Sequence, residues 1–330
     1  MDLQTLVIGY AVLILKLGVV LAVLLTAAAY LVLFERKFLG RLQIRYGPNR
    51  AGPYGLLQPF ADTIKMITKE DIVPAEADRA IFLYAPAVVG LTALMMFAVV
   101  PFGPDLTLFG REVKMVVADL NVGVLFAFAL SSLSVYGIAL GGWASNSKYS
   151  LLGGIRGAAQ MISYELALGL AIIPVVMRAG SFSLVDIVNA QAGLWYVATE
   201  PVAFVVFFIS AMAESKRIPF DLPEAENELG AGFHTEYSGM RFGLFFLGEY
   251  VAMQVLGGLI AVFFLGGWQG PLLPGPVWLG IKIFLVCLVM VWIRGTLPRL
   301  RYDQLMNLGW KVLVPISLVN VIVTGARLLW

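Results

Sequence analysis

The chain has 330 residues, 60% of them hydrophobic and only 13% charged, with a formal net charge of +2. Soluble proteins run at about 45–50% apolar and about 25% charged. A mean hydropathy of +0.86 leaves too few polar residues to cover a water-facing surface. Disordered, collagen-like and nucleic-acid-binding classes are excluded, and the class is a polytopic membrane protein. A single cysteine, Cys287, and a single histidine, His234, rule out a disulfide scaffold, a thiolate-held iron–sulfur cluster and a structural zinc site in this chain. Asp2, the lack of a basic n-region and the length of the first apolar run argue against a cleaved signal peptide.

A helix needs about 20 apolar residues to cross a hydrocarbon core of about 30 Å. In chain order, eight segments meet or nearly meet that need: 6–33, 80–102, 120–144, 157–177, 195–213, 240–265, 277–293 and 308–326. The runs are too long for barrel strands, which alternate over about 10 residues. The expected fold is therefore all-α, a single membrane domain over 1–330. Between the first two spans, Leu57, Phe60, Ile64 and Ile67 recur at helical spacing opposite Gln58, Asp62, Lys65 and Lys69. This predicts an amphipathic interfacial helix over about 54–69.

Charge placement predicts the orientation. Loop one and its flanks hold Arg36, Lys37, Arg41, Arg45, Arg50, Lys65, Lys69 and Arg79, and loop three holds Lys148 and Arg156. Loop five holds Lys216, Arg217 and Arg241, and loop seven Arg294, Arg299, Arg301 and the adjoining Lys311. Together these are 17 of the 23 Lys and Arg; the opposite loops hold only Arg111, Lys114, Arg178 and Arg327. The positive-inside rule places the odd loops in the cytoplasm and both termini outside. Loops one, from Glu35, and five, from Glu214, are far longer than a turn requires.

Carboxylates within membrane helices are costly and mark functional sites by default. Glu165 and Glu249 lie inside the fourth and sixth spans with no basic residue nearby on the same helix face, and Glu214 ends the fifth. Glu214 could equally form a plain interfacial pair with Lys216 or Arg217. In loop five, Asp221, Glu224, Glu226 and Glu228 crowd eight residues. One reading is an Asp221–Glu224 capping box with Pro223 in the first turn. The other is a coupled titrating group suited to proton uptake and release. The basic stretch from Glu35 to Arg50 reads either as an anchor on anionic lipid or, given Gly40, Gly47, Pro48, Gly52, Pro53 and Gly55, as a defined path packed on a partner. His234 reads as a proton relay or a satisfied loop residue.

Several of these stretches are specific enough to compare with a known family. Pro219-Phe-Asp-Leu-Pro-Glu-Ala-Glu, His234-Thr-Glu-Tyr-Ser-Gly-Met and Phe245-Phe-Leu-Gly-Glu-Tyr resemble the family of the H subunit of bacterial proton-pumping NADH:quinone oxidoreductase, respiratory complex I. So do Glu35-Arg-Lys, Arg45-Tyr-Gly-Pro-Asn-Arg, Leu57-Gln-Pro-Phe-Ala-Asp, Ser163-Tyr-Glu and Leu297-Pro-Arg-Leu-Arg-Tyr-Asp-Gln. The resemblance spans nearly the whole chain. It implies a bacterial inner-membrane component with quinone, ubiquinone or menaquinone, as substrate and no permanently bound cofactor. FMN and iron–sulfur clusters would sit in partner chains. Implied partners are peripheral-arm, small membrane and antiporter-like subunits, and lipid. On this resemblance the quinone chamber and its mouth take Glu35, Arg36, Lys37, Phe38, Arg41, Asp62, Lys65, Arg217, Phe220 and Arg294. The proton-coupling carboxylates are Glu165, Glu214, Asp221, Glu224, Glu226, Glu228 and Glu249. Some members carry a carboxylate in the third span; here that stretch is Leu130-Ser-Ser-Leu-Ser, and Ser132 cannot hold that proton. Competing expectations are the membrane subunit of an energy-converting hydrogenase and a stand-alone proton-coupled transporter.

Overall fold

A computed structural model describes residues 3–108 and 111–329; Asp2 lies outside the described residues. The chain is helical: α1 (Leu3–Leu42), α2 (Gln58–Thr68), α3 (Arg79–Met96), α4 (Gly123–Ala144), α5 (Lys148–Ala179), α6 (Leu184–Ala190), α7 (Tyr196–Thr199), α8 (Pro201–Glu214), α9 (Glu226–Leu229), α10 (Gly239–Phe264), α11 (Gly275–Thr296), α12 (Tyr302–Asn307) and α13 (Val314–Leu329). Among the described residues seven helices are long and apolar enough to cross a membrane, and Pro201–Glu214 is a shorter apolar one. α12, a π-helical segment Leu308–Leu313 and α13 form one of the seven, Tyr302–Leu329.

The fifth expected span is interrupted. Pro201 lacks an N–H and disfavours helical geometry in the residue before it, so Glu200 turns out of the helix (φ −127°, ψ 55°) and separates α7 from α8. Three other boundaries also move. α1 does not end at Phe34 but continues through Glu35–Arg41 to Leu42. At 1.5 Å per residue its 40 residues extend about 60 Å, twice the hydrocarbon thickness. α5 starts at Lys148, so Arg156 is helical. The amphipathic helix begins at Gln58, because Pro53–Gly55 form a separate 3-10 turn with Tyr54 at φ 52°. A hairpin unforeseen in the sequence, β1 (Leu106–Leu108) against β2 (Arg111–Val113), lies between α3 and α4.

α10 is the central helix. It is buried along nearly its whole length and packs on α3, α11, α1 and α8. Phe207, Phe263, Phe264 and Leu259 are fully buried in the core around it. Loop five is folded in as well. Gln160 Nε2 of α5 donates to the carbonyls of Ala213 and Phe220, each at 2.7 Å. Leu222, Ala225 and Phe233 are buried. Gly232 sits at φ +58°, and a Cβ there would lie 1.7 Å from the Pro223 carbonyl oxygen, so only glycine allows this closure. The Leu300 N–H donates to the Pro219 carbonyl at 3.1 Å, tying the segment after α11 to loop five.

Candidate functional site: a charged cavity between α1, α10 and loop five

The extension of α1 past Phe34 carries its last charged turns into the protein. Glu35 is 2% exposed and accepts a hydrogen bond from Arg294 Nη1 of α11. It also accepts from Tyr250 Oη at 2.7 Å and from Arg217 Nη1 at 3.3 Å. Arg217 in turn brings Nε to 2.7 Å from Glu249 Oε1, and its guanidinium lies 4.2 Å from the Tyr250 ring centroid. Glu249 therefore does have a basic partner, supplied by loop five rather than by its own helix. Burial works against the Arg217 charge, but Glu249, Tyr250 and Glu35 outweigh it and the proton is held more tightly than on a free guanidinium.

These groups line a cavity of about 270 Å³ together with Arg36, Arg45, Lys216, Glu224, Glu226, His234 and Phe246. A second cavity, about 310 Å³ and mostly apolar, lies between α1, α2 and α10; Arg36, Phe246 and Tyr250 line both. The polar side of α2 faces it through Gln58, Asp62 and Lys65, while Phe60, Ile64 and Ile67 are exposed on the outside. Arg36 Nη1 donates to Asp62 Oδ2 at 2.7 Å, pinning α2 to α1. A third, small cavity of about 20 Å³ is lined by Ser131, Ser134, Glu214, Lys216 and Glu249; Lys216 and Glu249 also line the charged cavity.

α4 meets the intramembrane carboxylates with serines. Ser131 Oγ donates to Glu214 Oε1 at 2.7 Å, and Ser132 Oγ donates to Glu165 Oε1. Glu214 is 6% exposed and its Oε2 has no hydrogen-bond partner. It does not pair with Lys216 or Arg217, so the interfacial-pair alternative fails.

The loop-five acids are dispersed rather than massed. Asp221 pairs with Arg299 at 2.8 Å, Glu224 approaches His234 at 3.6 Å, and Glu228 pairs with Arg156 at 2.6 Å. The capping box does not form. The next helix starts at Glu226 with Ala225 as its cap residue, and Asp221 points to Arg299 instead. Burial, then the nearby Glu224, push the Asp221 carboxyl up to about 6 against the pull of Arg299. Burial would also raise Glu224, but His234, Lys216 and Arg217 outweigh it and lower it.

Four of the residues expected at a chamber line neither the charged nor the apolar cavity. Phe220 packs in the core against Tyr164, with ring centroids 5.5 Å apart. Phe38 stacks on Phe34. Lys37 Nζ donates to the Tyr54 carbonyl. Arg41 is exposed. The residues that sequence reading missed are Tyr250, Lys216, Ser131 and Arg299. Tyr250 follows Glu249 directly and Lys216 precedes Arg217, so adjacency to a singled-out charge was the only available signal. A separate buried pair, Arg178 Nε to Glu200 Oε1 at 2.6 Å with Thr324 Oγ1 donating at 2.9 Å, binds α5, α8 and α13 at the break before α8.

The family described as NADH dehydrogenase matches residues 15–325. The chain is 76% identical over 322 residues to an H subunit of NADH-quinone oxidoreductase from Syntrophobacter fumaroxidans, covering 98% of this chain and 97% of the relative. It is 63% identical over 317 residues to the H subunit of the same enzyme in Syntrophotalea carbinolica, with 96% of each covered. It is 52% identical over 341 aligned positions to the H subunit of Thermomicrobium roseum, covering all of this chain and 98% of the relative. Matched from near its beginning to near its end, the chain belongs to the NADH dehydrogenase family whose members include the H subunits of NADH-quinone oxidoreductase.

Proposed function

We propose that this chain forms the quinone chamber of a proton-translocating NADH:quinone oxidoreductase, docks its peripheral arm through loops one and five, and couples quinone reduction to proton movement through its buried carboxylates. The observation that carries this reading is the shared lining of the three cavities. An apolar mouth between α1, α2 and α10 suits an isoprenoid tail. It meets a charged cavity at Arg36, Phe246 and Tyr250, and that cavity meets the small one at Lys216 and Glu249. Arg217, Arg294, Arg36 and Lys216 supply positive charge where a reduced, anionic headgroup needs it. Electrons from NADH reach the quinone through FMN and iron–sulfur clusters on partner chains. The small membrane and antiporter-like partners take up the proton axis that begins at Glu249, Glu214 and Glu165. Loops one, three, five and seven face the cytoplasm of a bacterial inner membrane, in keeping with their basic residues.

The test is Glu214→Gln and Glu249→Gln in the assembled complex. Quinone reduction and proton pumping should fall together, while NADH oxidation by an acceptor that takes electrons at the flavin persists. Normal turnover and pumping in both variants from acid to alkaline pH would make these carboxylates structural.

A further inference from the structure

Most basic groups around the chamber are already matched. Arg217 has Glu249 and Glu35, Arg294 has Glu35, and Arg36 has Asp62. Lys216 differs. It is 6% exposed, yet no carboxylate lies within ion-pair distance of its Nζ and it donates no hydrogen bond to the protein among the described residues. An ammonium carries three donors, and burying it without acceptors is costly. Its Nζ lies over the Phe233 ring, 5.5 Å from the centroid. Its backbone is held at φ +53°, a left-handed conformation that a non-glycine residue adopts only when its surroundings impose it. The imposed turn places it, alone with Glu249, on the walls of both the charged cavity and the small one.

The small cavity, about 20 Å³, exceeds the roughly 10–15 Å³ that one water requires. Ser131, Ser134, Glu214 and Glu249 line it, and the Glu214 carboxylate keeps one buried oxygen without a partner. A cation without a carboxylate partner and a buried carboxylate oxygen without a hydrogen bond thus border one water-sized space.

We infer that Lys216 passes protons between the charged cavity and the carboxylates of α8 and α10, with water in the small cavity as its link to Glu214. The inference rests on the reading under Proposed function and adds a group to it. In the step, the Lys216 ammonium gives one proton to a basic oxygen in the charged cavity, which is a water or the oxygen of the reduced quinone. The resulting neutral amine takes a proton from the Glu214 carboxyl through the cavity water, leaving a carboxylate. The electrons that make the quinone oxygen basic come from NADH through the partner chains. Every group facing Lys216 fits the exchange: Glu214 closing α8, Glu249 in α10, and Glu224 and Arg217 in loop five. Burial lowers the Lys216 proton affinity from that of a free lysine, opposed by Glu249, Glu224 and Glu214, so the proton is easier to release.

The discriminating variants are Lys216→Arg and Lys216→Met. Arginine keeps the charge but cannot release its proton; methionine keeps the apolar stem alone. Both should lower quinone-coupled turnover and pumping about a hundredfold, with the KM for a short-chain quinone little changed and flavin-site NADH oxidation by the artificial acceptor intact. The alkaline fall of turnover that belongs to Lys216 should disappear in Lys216→Arg. Wild-type turnover with an unaltered pH profile in Lys216→Arg would reduce Lys216 to a fixed charge and overturn the inference, while leaving the chamber reading in place. Normal turnover in Lys216→Met would overturn it equally. Silent Glu214→Gln and Glu249→Gln variants would instead sink the proton-coupling reading itself.

Discussion

Arg217→Met isolates the electrostatic core of the site. Arg217 lies between two buried acids, but they depend on it unequally. Glu35 keeps Arg294 and the Tyr250 hydroxyl, whereas Arg217 is the one ion-pair partner of Glu249 among the described residues. At 2.7 Å and an effective dielectric of 20 the gross attraction is about 6 kcal/mol. Desolvation offsets much of it, and breaking a buried pair from one side costs about 3–5 kcal/mol. For a chain of 330 residues that corresponds to a melting temperature lower by about 4–7 °C. The stranded Glu249 accounts for most of the loss, so Arg217→Met with Glu249→Gln should recover the greater part of it, with a coupling of about 2 kcal/mol. The assay is the melting of the purified complex for the four members of the cycle, followed through release of this chain. Strictly additive losses would refute the pairing and, with it, the account of how loop five is fixed to α10.

Further outcomes follow from single contacts. Tyr250→Phe removes the 2.7 Å hydroxyl bond to Glu35 and should cost about 1.5–3 kcal/mol, the range for a hydrogen bond to a charged group; unchanged melting would show that Glu35 does not need it. Arg299→Gln should destabilise loop five in a pH-dependent way. The raised Asp221 carboxyl is protonated in the fold below about pH 6, so its uncompensated charge, and the damage, grow as pH rises through 6 and above. Limited proteolysis of loop five at pH 5 and pH 8 reads this out, and equal cleavage at both would contradict it. In membranes stripped of the peripheral arm, a reporter in the exposed stretch Glu226–Glu228 should be reached from the cytoplasm and not from outside; labelling from outside would reverse the orientation.

Hydropathy made the all-α membrane class legible, because about 20 apolar residues per crossing leave a signal that no packing detail hides. It could not show where α1 ends. Glu35, Arg36 and Lys37 read as a loop because charges usually mark an interface, but ion pairs with Arg294, Arg217 and Asp62 let the helix carry them onward. It also could not show the partners of Glu165 and Glu214, since the serines of α4 are polar residues of no distinction until the helices pack. The crowding of acids in loop five suggested repulsion along the sequence. The fold answers it by turning Asp221, Glu224 and Glu228 to three different partners. In the sequence Lys216 reads only as a loop charge or a partner for Glu214; that it has no carboxylate partner shows only in three dimensions.

Two cavities flank α1 on different faces, and the larger, about 610 Å³, shares no lining residue with the charged site. It lies between α1, α10 and α11. A photoreactive quinone bound to the active complex therefore gives the most direct test of the account. Label is predicted on α2 and the facing turns of α1 and α10, around Arg36, Met66, Phe246 and Tyr250. Label confined to the face formed by Val23, Phe97, Leu279 and Phe284 would contradict the path from mouth to charged cavity.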